Sequence, residues 1–264
     1  MRIAEITPDY LLREDEESDQ QWRDAAVAVF KIIGRILSTD NLDRMLTPCH
    51  GSNGRAGAYG IHSSSFLAPP YDDFWVVFEP RGGDVTPAAG ENPAGGYIIY
   101  FPMLPPGGDV HDLADLWDAE RDTFIHEFTH YLLLKRDSGS RKRSYEKRAA
   151  KAALRGKTVE PDSASDGYLL KGDFAGYFNH PQETNAYYQE ATARIMHLFR
   201  NASESMRRKM AEQPTARIVA YLRGAFPADF IAHLTPENRR KLDKRLARFA
   251  DQTLRPMLLA DNME

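Results

Sequence analysis

Hydrophobic and polar positions change period along the chain. From about Gln20 to Leu37, "QWRDAAVAVFKIIGRIL" carries Trp22, Ala26, Val29, Phe30, Ile33 and Leu37 at helical spacing, which predicts an amphipathic helix covering one face of a sheet. The next sixty residues switch to short aromatic and β-branched runs, "AGAYGIHSSSFL", "DFWVVFEP" and "GGYIIYFP", separated by Gly, Pro and Asp clusters. These read as three strands. In the third, Tyr97, Ile99 and Phe101 alternate with Ile98 and Tyr100, and Pro102 suits the end of an edge, so this run is expected to be the sheet's edge strand. The stretches "RGGDVTPAAGENPAGG" before it and "PMLPPGGD" after it are too rich in Gly and Pro for regular structure.

A helix is expected from about Asp115 to Arg136, and a second helical pattern, "RSYEKRAAKAALRGK", after the Gly139 turn. A polar connector then reaches Gly176. Another helix opens near Pro181 in "PQETNAYYQEATARIMHLFRN", where proline's missing N–H has no intrahelical partner to lose. The remainder reads as all-helical, with Thr235 and Pro236 as an N-cap and first-turn pair. A helix and a small sheet followed by several helices predicts an α+β fold. We read one domain over residues 1–264, with a helix-and-sheet part at about 20–136 and a helical part at about 137–264.

Composition narrows the chemistry. With 264 residues, 42% of them hydrophobic, the chain has enough apolar material for a sizeable core, so a globular protein is the expectation. Cys49 is the only cysteine, which excludes an intramolecular disulfide and any two-cysteine metal site; a metal would have to be held by His and carboxylate. No signal-peptide pattern opens the chain and no window approaches the roughly 18 apolar residues of a membrane span, so a cytoplasmic protein without a membrane partner is expected. Charge is uneven: residues 9–24 are acidic, whereas the basic 135–157 segment holds ten Lys or Arg. That segment reads as a solvated helix face, with an acidic partner or a nucleic-acid phosphate surface as the alternative.

Against this background "DTFIHEFTHYLLLKR" stands out. His126 and His130 are four apart, so on a helix both imidazoles face one point, as two zinc ligands do. Glu127 beside them is positioned to act as general base on a water at the metal. The bare pattern arises by chance in about one to two shuffled chains per hundred, so its context decides its meaning. Here the flanking Phe124, Ile125, Phe128, Leu132, Leu133 and Leu134 make a buried helix, where two imidazoles and a carboxylate are costly without partners or a metal.

At these residues the chain resembles the HExxH zinc metallopeptidases of the zincin type, and among them the gluzincins, whose third ligand is a Glu on a later helix. "HEFTH" matches the first half of that signature, and "YFNHPQETNAYYQE", with Glu183 about fifty residues on, is similar to the second. The Tyr and Pro before "ExxA" are similar to small peptidases associated with bacteriophage; the likeness covers roughly residues 55–200. It implies a zincin-like fold, with a twisted mixed sheet packed on the active-site helix, and Zn²⁺ held by His126, His130 and Glu183. Glu190, His180 and Asp173 remain alternatives to Glu183, and Glu190 alternatively accepts from a ligand histidine or pairs with Arg194. The metzincin type is disfavoured because residues 131–179 contain no histidine.

The implied activity is zinc-dependent hydrolysis of a protein or peptide substrate that adds as a strand to the sheet edge. Tyr177 is the first candidate to donate to the oxyanion, with Tyr187 and Tyr168 behind it. Two alternatives stand beside this reading: a catalytically silent zinc-binding structural or virion-associated protein, and a nucleic-acid-associated metallopeptidase.

Overall fold

The computed structural model describes residues 16–52, 56–68, 71–81, 88–91, 97–104, 109–133, 135 and 174–260. The described residues fall into two compact units, one running from Gln21 to Thr129 and the other holding residues 16–20 and those from His130 onward. Among the described residues no helix is long and apolar enough to cross a membrane.

The first unit is built on helix α1 (Glu16–Leu37) and a five-stranded mixed sheet. All six apolar positions read in α1 are buried, and the helix starts four residues earlier than its hydrophobic pattern because its first turn is polar. After a short helix α2 (Leu42–Met45) come β1 (Thr47–His50), β2 (Ala56–His62), β3 (Phe74–Pro80), β4 (Ala88–Glu91) and β5 (Tyr97–Leu104). Their order across the sheet is β1-β2-β3-β5-β4, with β3 and β5 parallel and the other pairs antiparallel.

Two expectations need correction here. β5 is not the edge: it lies between β3 and β4, and β4 is the edge strand on that side. β4 itself is "AAGE", drawn from the stretch read as irregular. Its residues have little strand propensity, yet Ala88 to Glu91 pair with Tyr100 to Tyr97, the neighbour's unfilled hydrogen-bonding groups overriding local preference. Pro102 marks a bulge instead of an edge: the β3–β5 register shifts between Phe78 and Pro80, where a residue without an N–H is tolerated. The alternation within β5 is as expected, Tyr97, Ile99 and Phe101 being buried and Ile98 and Tyr100 half-buried.

The helical path after β5 is segmented. A 3₁₀ turn (Val110–Asp112) leads into α3 (Leu113–Trp117), a second 3₁₀ turn (Asp118–Glu120) and α4 over residues 121–133. Aromatic rings join α3 and α4 to the sheet: Trp117 stands edge-on to Phe78 and Phe101, and Phe128 edge-on to Phe74 with centroids 5.4 Å apart. Trp117 also stacks on Phe30 and donates to the Phe30 carbonyl, so α1 closes over the same layer.

The second unit is helical: α5 (Phe174–Asn179), α6 (Pro181–Arg200), α7 (Glu204–Ala211), α8 (Thr215–Arg223), α9 (Ala228–His233), α10 (Pro236–Phe249), a π turn (Ala250–Leu254) and α11 (Arg255–Leu259). Its core joins Tyr188, Ile195 and Phe199 of α6 to Ile218, Phe230 and Leu246. Phe174 to Gly176, read as the end of a connector, thus stand on a helix with Tyr177, and Phe178 of that helix docks on Phe230. Thr235 and Pro236 cap α10 as read, Thr235 Oγ1 accepting from the Asn238 N–H. The helical pattern "RSYEKRAAKAALRGK" lies outside the described residues; of the basic 135–157 segment only Lys135 is described, its ammonium over the Tyr131 ring.

Candidate metal centre

The rotation of α4 about its axis follows from its packing. Phe124 and Phe128 stack on each other and turn one face towards Phe101 and Phe74 of the sheet. His126 and His130, each two residues further on, are therefore turned to the opposite face, one helical turn apart. His126 is buried, and Glu127 is half-buried about 100° round the helix from it.

Glu183 comes from the first turn of α6. The His180 ring caps that helix, its Nδ1 accepting from the Gln182 N–H, and Pro181 takes the first helical position. Glu183 follows two residues later and is buried, 5% exposed, at a helix end that favours negative charge. Its Oε1 lies 3.5 Å from His130 Nε2. One ligand atom from each of His126, His130 and Glu183 lies within 4.8 Å of the others.

This donor set fits zinc. Two imidazole nitrogens and a carboxylate oxygen are ligands of the catalytic type, and donors bonded tetrahedrally at about 2.0–2.1 Å stand roughly 3.3 Å apart, close to the His130–Glu183 spacing. One buried carboxylate and two neutral imidazoles offer a cation one negative charge and two nitrogen lone pairs.

Tyr177 approaches the same carboxylate from α5. Burial, then the negative charge of Glu183 and hydrogen bonds to Glu183 and Tyr187, push its phenol far above the ordinary tyrosine value. It is therefore a neutral donor throughout the physiological range. Tyr187, four residues after Glu183, packs on Phe230 with ring centroids 4.7 Å apart.

The group of converging ligand atoms includes neither Glu190 nor His180, and two further candidates lie outside the described residues. Glu190 pairs with Arg194 at 2.6 Å, the ion-pair option of the sequence. His180 uses Nδ1 as the helix cap. Asp173 and Tyr168 lie outside the described residues.

Sequence reading missed the groups that hold α6 in place. Asp19 and Arg245 form a two-pronged ion pair; the Arg245 guanidinium also bonds Asn185 and lies 3.8 Å over the Tyr188 ring, and Gln189 donates to Asp19. On the other side Asn179 ties the α5–α6 corner to the start of α10. These partners are separated by 54 to 226 residues, and no local pattern marks them. Comparison of the chain with protein-family models, with curated proteins and with solved structures finds no match.

Proposed function

We propose that the chain is a zinc-dependent endopeptidase. The observation that carries this reading is the convergence of Glu183 with His126 and His130, which turns a two-histidine helix into a three-ligand set. His126, His130 and Glu183 would hold the ion, leaving Glu127 beside it as a carboxylate with no ligand role. When bound, zinc polarises the scissile carbonyl and lowers the pKa of water towards neutrality.

The protein's own groups do the proton work. Glu127 takes the proton of the attacking water and delivers it to the departing amine, so one carboxylate serves as base and then as acid. Tyr177, kept neutral, donates its O–H to the oxygen on which negative charge develops; its bond to Glu183 orients the ring before substrate arrives. An extended substrate adds as a strand along β4, the edge beyond β5, and takes its register from main-chain hydrogen bonds.

Zinc analysis and a proteolysis assay on the intact chain test this. One zinc per chain is expected, with peptide hydrolysis abolished by a chelator and restored by zinc. Protein that takes up no zinc, or hydrolysis indifferent to the chelator, contradicts it. A catalytically silent zinc protein differs in one outcome, stoichiometric zinc with no hydrolysis of any peptide library.

A further inference from the structure

We infer that Asn179 is a positioning residue for the candidate metal centre, a latch by which the loop between α9 and α10 sets Tyr177 and Glu183. The inference rests on the zinc reading of Glu183. Asn179 ends α5, two residues after Tyr177 and four before Glu183, at the corner where the chain turns into α6.

Every polar atom of its side chain is used. The amide nitrogen donates to the Ala175 carbonyl and to the His233 carbonyl, each at 2.7 Å. The amide oxygen accepts from the Thr235 N–H at 2.8 Å and from Asn238 Nδ2 at 3.0 Å. Asn238 reaches the Asn179 main-chain carbonyl as well. The orientation of the amide is unambiguous, since a backbone N–H only donates and a carbonyl only accepts; a flipped amide would oppose donor to donor and acceptor to acceptor.

What the latch spans gives it its role. Thr235 and Asn238 are also the N-cap pair of α10, so the same two residues begin that helix and hold Asn179. Phe178, the next residue back, lies against His233 and Phe230 of α9. Thr184, the next residue after Glu183, bonds the carbonyls of Phe178 and His180 across the corner. Tyr177 and Glu183 are thus on either arm of one pinned bend, and where each side chain stands follows from the angle of that bend. Asparagine is the side chain that serves here: aspartate would set a carboxylate oxygen against two carbonyls, and leucine would leave the Thr235 N–H and the His233 carbonyl without this partner.

The test compares the intact chain with Asn179→Ala. Zinc affinity is measured by chelator competition well below the unfolding temperature, and amide exchange is followed across residues 174–190 in metal-free protein. The expected result is a roughly 10-fold or greater loss of zinc affinity, in the range seen when a group that orients a ligand is removed, with faster exchange confined to the α5–α6 corner. Thr215→Val, which removes the surface bond to Asp251, is the control and should leave zinc affinity unchanged. Equal zinc affinity in Asn179→Ala and the parent overturns the latch and leaves the metal centre standing; a parent that binds no zinc overturns both. Should Asn179→Ala fail to fold, Asn238→Ala removes one arm only and is expected to weaken zinc about 3-fold, an unchanged affinity again overturning the latch.

Discussion

At the scale of single residues, the candidate centre depends on which carboxylate meets the two histidines. Glu183 and Glu190 are seven apart on α6 and so on one helical face, but Glu183 is against His130 and Glu190 is held by Arg194. Zinc titration should therefore separate them: Glu183→Ala is expected to weaken binding by 100-fold or more, Glu190→Ala by less than 3-fold. The reverse ranking would put the third ligand elsewhere. Cys49 makes a contrasting case. Its side chain lies over the space left by Gly60, a glycine at which any Cβ would crowd Trp75 and the sulfur. Burial first, and the charge of Glu79 second, push its thiol above the ordinary value, so thiolate is scarcer than in a free cysteine at any pH near 8. Alkylation at pH 8 should accordingly be slower than for a model thiol, and faster in Glu79→Gln; a rate equal to the free thiol would contradict that environment.

At the scale of elements, α6 is the piece whose placement decides whether a centre exists. Its first half is gripped by Arg245 through Asn185 and the Tyr188 ring, and Asp19 answers the Arg245 charge with its side chain 7% exposed. Removing one member of such a pair leaves a buried charge without its partner, which costs about 3 kcal/mol. Asp19→Ala should lower stability by that order in urea unfolding, whereas Glu237→Ala, at an exposed i,i+4 pair with Lys241, should lie within about 0.5 kcal/mol of the parent. Equal effects of the two would mean that the Asp19 pair carries no special weight. The edge of the sheet teaches the opposite lesson about local preference. "AAGE" has no strand signature and becomes β4 only because β5 offers it a ladder.

Over the whole molecule, what could be read in the sequence was whatever repeats at short range. The period of α1, the aromatic runs of β2, β3 and β5, and the caps at Pro181 and Thr235 all rest on neighbours within a turn or two and stand where they were read, while the helix read at about 115–136 is broken by a 3₁₀ turn before α4. The two-histidine helix was legible for the same reason. The order of strands, the helix at Phe174–Asn179 and the bracing of α6 by Asp19, Arg245 and Asn179 were not, because each depends on residues far apart in the chain. Glu183 was visible through likeness to the gluzincin pattern, and its meeting with His130 is a tertiary fact. The most direct test of the zinc-peptidase reading is hydrolysis of a peptide substrate by zinc-loaded parent and Glu127→Gln at matched zinc content. The predicted result is full zinc occupancy in both with hydrolysis reduced at least 1,000-fold in Glu127→Gln, in line with loss of a general base; equal hydrolysis by the two would contradict it.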